Sequence, residues 1–172
     1  METTDSDKHW YVVLTRTNSE RKVRDYFQLQ EVDTFLPVQN RVIEREGKRI
    51  ERERLLLPRM VFVHISRQEM AAVRSTLNVY DFLRDRSTGA PTCIPDAQMA
   101  DFRYMLDYSQ DQVILTGESI PKGTRVVVAK GDLQGLRGEL VRYNNKYHIL
   151  VRIDMFGSAM VTMPASYVRK EK

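Results

Sequence analysis

Cysteine is almost missing from this chain. Cys93 is the only one in 172 residues, so neither an internal disulfide nor a cysteine-based zinc cluster can form. A reducing, cytoplasmic setting is expected. Histidine is nearly as sparse: His9, His64 and His148 lie far apart, without His, Cys or Asp companions at metal-ligand spacing. Each reads as a structural or surface histidine. Apolar runs stay well short of the ~18 residues a membrane span needs, and the start, Met1 to Lys8, is polar. Neither a membrane span nor a secretory signal is expected.

What is present is the mix of a globular protein, 42% hydrophobic and 29% charged. Charge is unevenly distributed. Residues 122–172 carry ten Lys/Arg against four Asp/Glu, whereas residues 1–121 carry 17 against 19. A basic part joined to a near-neutral part suggests two modules with different partners.

Local patterns give the organisation. Trp10 to Thr15 is aromatic and β-branched and reads as a buried strand. Thr17-Asn18-Ser19-Glu20 has capping-box spacing, and Val23, Tyr26 and Phe27 recur at helical spacing, giving a helix over about Ser19 to Glu31. Thr34 to Val38 reads as a second strand. Arg41 to Arg54 is a charged hairpin turning at Glu46-Gly47-Lys48, its charge expected to pair across the strands. The run from Leu55 to Ile65 becomes a strand past Pro58, with Val61, Val63 and Ile65 on one face and Met60 and Phe62 on the other. Both faces need a cover.

Ser66-Arg67-Gln68-Glu69 is a second capping box, opening a helix with Met70, Val73 and Leu77 on one face. Val79 to Leu83 is a short strand. Asp96 caps a third helix carrying Met99, Phe102 and Leu106. The order β-α-β-β-α-β-α implies an α+β domain, a mostly antiparallel sheet with packed helices. Periodicity lapses between Ser109 and Pro121. Beyond, short strands (Arg125–Ala129, Glu139–Tyr143, Tyr147–Ile153, Ala159–Met163) alternate with turns at Gly131-Asp132, Asn144-Asn145 and Phe156-Gly157. So many short strands in so few residues predict a small barrel. The expected division is 8–110, a linker at 111–121, and 122–172.

Catalytic constellations are lacking. Cys93 has no nucleophile signature and reads as a small buried hydrophobe. Gly131 to Gly138 is glycine-rich but lacks the Gly-Lys-Ser/Thr ending of a P-loop and precedes a strand. Neither an enzyme nor a bound cofactor or metal is expected. Three binding surfaces stay open: a basic helix start (Arg16, Arg21, Lys22, Arg24), either a solvated face or a phosphate contact; the Met60/Phe62 face with Leu14 and Leu57, either plain core or a groove for an apolar helical hairpin; and the loops around Phe156, either turn packing or interface.

Lys122 to Val141 resembles the KOW motif, and Val151 to Gly157 followed by Val161 to Val168 looks like its end. Upstream, Trp10-Tyr11-Val12-Val13, Leu57 to Val63, and Val73-Arg74-Ser75-Thr76 before Val79 to Leu83 resemble the N-terminal (NGN) domain of NusG-family transcription factors. Length and the Asn18-Ser19-Glu20-Arg21-Lys22-Val23 helix start look most like the specialised antiterminators of capsular-polysaccharide loci (UpxY type). The resemblance implies an NGN domain followed by an SH3-like KOW barrel, acting as a monomeric elongation or antitermination factor without a membrane. It further implies that the polymerase clamp helices lie against Leu14, Leu57, Met60 and Phe62, and that non-template or upstream DNA meets Arg16, Arg21, Lys22, Arg24 and Arg74. A second protein is implied at the KOW domain, whose motif residues are Gly131, Gly135, Gly138, Phe156 and Gly157. The family often shows Phe-Pro-Gly-Tyr where this chain has Leu57-Pro58-Arg59-Met60, and a basic residue where Ser158 stands. The alternative reading is an RNA-binding or ribosome-associated KOW protein.

Overall fold

The computed structural model describes residues 7–172. The chain forms two compact units, Met1–Asp96 and Ala97–Lys172.

In the first unit, the aromatic and β-branched run forms β1 (His9–Thr15), which lies centrally in a five-stranded sheet. Around it are β2 (Asp33–Phe35), β5 (Met60–Ile65), β6 (Val79–Phe82) and β7 (Cys93–Ile94). The order is β2-β5-β1-β6, and β7 pairs with the start of β1 along the β6 side. Every pairing is antiparallel. Alternation puts Tyr11, Val13, Val61, Val63, Ile65 and Phe82 on one face, where Val23 and Phe27 of α1 (Glu20–Leu29) and Val73 of α2 (Met70–Arg74) cover them. Burying side chains of this size stabilises by about 1.5–3 kcal/mol each.

The charged hairpin is β3 (Val38–Arg45) and β4 (Lys48–Leu55), a two-stranded ribbon separate from both larger sheets. Glu46 (φ 55°) and Gly47 (φ 74°) turn it, two left-handed residues as a type I′ hairpin requires.

Two helical expectations change. At α1 the capping box does not form: Ser19 is the N-cap without a side-chain bond, and the Glu20 carboxylate is engaged elsewhere. At Ser66 half of the box forms, the Ser66 backbone N–H donating to Glu69 Oε2 at 2.8 Å while its buried Oγ has no partner among the described residues. The segment opens a 3₁₀ turn (Arg67–Glu69) before the short α2, which ends at Arg74. Leu77 therefore leaves the apolar face and is exposed. Cys93 is exposed rather than buried.

All but the first residue of α3 (Asp96–Tyr108) falls in the second unit. That division differs from the expected linker at 111–121, a segment that contains β8 (Ile114–Thr116) hydrogen-bonded to β12. The second unit's sheet runs β13-β9-β10-β11-β12-β8. Its other strands are β9 (Thr124–Val128), β10 (Arg137–Tyr143), β11 (Lys146–Ile153), β12 (Gly157–Thr162) and β13 (Val168–Lys170). Ile149, Leu150 and Val151 are consecutive and all buried, so β11 is covered on both faces.

Glu139, on β10, is a buried carboxylate that ties this unit together. It accepts Arg152 Nε at 2.7 Å and the Gly123 amide at 2.9 Å, while Arg152 also donates to the Ile120 carbonyl at 2.9 Å. Burial pushes the Glu139 carboxyl up, but Arg152 and the Gly123 amide outweigh it and hold the group below its ordinary value.

Two outcomes follow in unfolding experiments on the full chain. An added Cβ at Gly157 (φ 94°) meets the Thr116 carbonyl oxygen, whereas at Gly135 (φ 93°) it meets open space. Gly157→Ala is expected to cost about 2–3 kcal/mol and Gly135→Ala about 1 kcal/mol in urea denaturation. Because its folded pKa is depressed, Glu139 contributes stability that is complete above its ordinary value of 4.5 and is lost as pH falls through the folded value. Acid titration of Glu139→Gln should lack that part of the wild-type loss.

Candidate functional site

The turn before β5 is built around a strained arginine. Pro58 supplies a fixed φ, and Arg59 takes φ 65°, the left-handed position that a turn of this kind normally gives to glycine. A side chain there costs about 1 kcal/mol. Arg59 is held from both sides: its N–H donates to Glu20 Oε1 at 2.9 Å and its carbonyl accepts the Thr15 N–H at 2.9 Å. Glu20 is only 3% exposed, so the α1 carboxylate acts as a buried clamp on the turn.

The turn delivers the chain into β5 beside β1. Met60 lies opposite Leu14, and Leu14 lies opposite Asp81 of β6. These residues share the face turned away from α1 and α2. Leu14, Leu57 and Met60 are each partly exposed. Phe62 is not: it is 0% exposed, opposite the equally buried Val12, with its ring 6.0 Å from that of Phe35. An open furrow lined by all four residues is thus not what the fold presents. Phe62 lies at depth, and the accessible apolar edge is Leu14, Leu57 and Met60.

Arg74 joins this edge through Asp81, with Nε 3.4 Å from Oδ1, and Arg84 approaches the same oxygen at 3.4 Å. Partial burial raises the Asp81 carboxyl, but the Phe82 amide and the two arginines outweigh it and hold it below the usual range. Arg16, Arg21 and Lys22 are exposed and Arg24 is partly buried. Arg21 Nε lies 3.1 Å from Glu53 of β4, and Arg24 lies 3.0 Å from Asp25 and 3.9 Å from Glu53. Half of the basic helix start is therefore engaged with the chain's own acids.

In the second unit Gly131 (φ 90°) and Gly135 (φ 93°) shape the loop after β9. The Tyr167 ring lies close over Gly131, with Lys130 Nζ 4.8 Å from its centroid. An added Cβ on Gly138 would meet the Leu150 carbonyl at 2.7 Å, so that glycine serves strand packing. Phe156 is partly buried beside Gly157.

Among the described residues no group of three or more His, Cys, Asp or Glu could hold a metal ion. Cys93 borders an open cavity of about 480 Å³ with His9, Tyr11, Arg67, Met70, Ala90 and Pro91. Partial desolvation of its sulfur, helped by Asp96, pushes the thiol up and favours the protonated, less nucleophilic form. No described helix is long and apolar enough to cross a membrane.

The ribbon is the surface that sequence reasoning missed. Its register sets Arg41 opposite Arg52 and Arg45 opposite Lys48, with Ile43 opposite Ile50 between them. Only Glu44 opposite Arg49 pairs unlike charges, contrary to the expected cross-strand neutralisation. Fixing the turn at Glu46-Gly47 and folding the sequence back on itself would have revealed this.

A family model described as "Transcription termination factor nusG" matches residues 8–103. No curated protein matches. Among solved structures, one from a study of domain interaction in Thermotoga maritima NusG is 19% identical, covering 98% of this chain and 100% of that one, with a TM-score of 0.49. Two conformations of an MjSpt4:Spt5 complex are each 14% identical. Conformation A covers 95% of this chain and 98% of that one, with a TM-score of 0.31. Conformation B covers 94% and 95%, with a TM-score of 0.33.

The clamp on the turn has a direct measure. In urea unfolding, Glu20→Ala is expected to lose about 1–3 kcal/mol, because the Arg59 amide is left without its acceptor. Arg59→Gly is expected to gain up to about 1 kcal/mol, because glycine relieves the left-handed strain.

Proposed function

Because the chain belongs to the NusG family of transcription factors, we propose that it binds RNA polymerase through its N-terminal part, residues 8–110, and suppresses pausing or termination. It acts in the cytoplasm, on a restricted set of operons of the capsular-polysaccharide type. The observation that carries this reading is the apolar edge formed by Leu14, Leu57 and Met60. These side chains are partly exposed at the end of the β1–β5 pair, where Leu14 lies opposite Met60, while Phe62 is fully buried.

The contact is mechanical rather than catalytic. The polymerase's clamp helices bury the Leu14–Met60 row and the Leu57 turn, and the Glu20–Arg59 clamp fixes the position of that turn beforehand. Preorganisation of this kind lowers the ordering cost of association. Leucine and methionine in place of aromatic anchors give an adaptable surface. Arg16 and Lys22, both exposed, then meet upstream or non-template DNA. Spanning polymerase and DNA favours the closed, elongating clamp over the open, paused one by differential binding. The strands of residues 122–172, with β8 added at one edge, serve as a KOW barrel that recruits a second protein through its loops.

The test is capture of tagged protein from the native host. Met60→Asp places a charge in the apolar contact and should weaken polymerase binding more than about 100-fold, removing it from the captured material. Met60→Leu should retain it, and circular dichroism should show that both variants fold. Undiminished capture of polymerase by a folded Met60→Asp would overturn the assignment.

A further inference from the structure

The hairpin ribbon has two chemically different faces. Cross-strand partners share a face, and successive residues alternate. One face therefore carries Asn40, Val42, Glu44, Arg49, Glu51 and Glu53, and Glu53 on it meets Arg21 and Arg24 of α1. The opposite face carries Arg41, Arg45, Lys48, Arg52 and Arg54 around Ile43 and Ile50, with no acidic residue.

Like charges directly opposite each other destabilise a strand pair. Here Arg41–Arg52 and Arg45–Lys48 are both such pairs, and all four residues are exposed. Neither the facing partner nor the diagonal neighbours on that face provide a compensating anion. The face is complementary to a polyanion supplied from outside. We propose that this face of the β3–β4 ribbon is a binding site for the phosphate backbone of duplex DNA, distinct from the cations at the start of α1.

Shape favours duplex DNA over duplex RNA. A two-stranded antiparallel ribbon is one of the two protein elements that the B-form major groove admits, a groove about 12 Å wide. The two like-charged pairs lie four residues apart along each strand, about 13 Å at the usual strand rise. A ribbon laid across the groove thus brings one cation pair to each phosphate bank, with Ile43 and Ile50 over the floor. The A-form major groove is too deep and narrow for that arrangement. Cations on phosphates with isoleucine between them carry no base-edge hydrogen bonding, so binding is largely independent of sequence.

The site does not depend on the polymerase contact, and the two fail separately. Fluorescence anisotropy of the full chain with a labelled duplex of mixed sequence, repeated at increasing salt, reads it directly. The combined variant Arg41→Gln, Arg45→Gln, Lys48→Gln and Arg52→Gln is expected to bind at least about tenfold more weakly at low salt. Its slope of log affinity against log salt should be shallower by roughly 3–4, about 0.9 for each phosphate contact removed. Glu44→Gln with Glu51→Gln, on the other face, should bind as tightly as the wild type or tighter. Met60→Asp should leave DNA binding intact, and the combined variant should still capture polymerase. An unchanged salt slope in the folded combined variant would reject the site. Equal or tighter binding of a duplex RNA of the same sequence would reject its assignment to DNA.

Discussion

Strand register decides which side chains of this chain act together. In an antiparallel pair a slip of one residue sends every side chain to the opposite face. The sheet of the first unit escapes that ambiguity because Val61, Val63 and Ile65 have an apolar face to join, beneath Val23 and Phe27 of α1. With that face fixed, Met60 and Phe62 go to the other one, and in the register formed Met60 lies beside Leu14 and Phe62 beside Val12. The two-stranded ribbon touches that core only at its base, through Val38 and Leu55. Its register depends instead on the two left-handed residues of its turn, Glu46 and Gly47. That is why its charges are free to segregate by face rather than being arranged by packing.

Each unit also commits one buried carboxylate to a backbone amide. Glu20 accepts the amide of Arg59, and Glu139 accepts that of Gly123 while engaging Arg152. Both hold a segment that leads into a strand, the Pro58–Arg59 turn before β5 and the 120–123 segment before β9. Hydrogen bonds to a charged acceptor are stronger than neutral ones, and a buried carboxylate left without partners is costly. Either group thus favours one path for the chain over its alternatives. At the Leu57–Met60 turn this lets arginine stand in a conformation suited to glycine.

Much of the architecture is legible in the sequence, because strands with strong apolar character and turns rich in glycine or asparagine reflect local physics. The central strand from Trp10, both faces of Met60 to Ile65, the Glu46-Gly47 turn and the strand series after Thr124 all follow from such patterns. What does not follow depends on partners distant in sequence. Glu20 has the spacing of a helix cap, yet Arg59 offers it a better donor across the fold. Leu77 keeps the helical rhythm after α2 has already ended at Arg74. Residues 111–121 look like a linker because β8 is only three residues long, too short to show a period. Arg21 and Arg24 look like free cations because Glu53 lies 32 and 29 positions away along the chain. The depth of Phe62 was likewise beyond pattern reading, since alternation gives a face but not what covers it.

The ribbon joins the rest of its unit near its base, where Glu53 also meets Arg21 and Arg24 of α1. Val38 pairs with Leu55 at its base, where the Leu56 N–H also bonds the Pro37 carbonyl, and the opposite end is the Glu46-Gly47 turn. An arm held in this way has its largest swing at the tip and its largest bending load at the root. That root runs directly into Leu57, Pro58 and Arg59. A load on the far end would therefore bear on the residues beside the greasy edge, because the two are joined by one short stretch of chain.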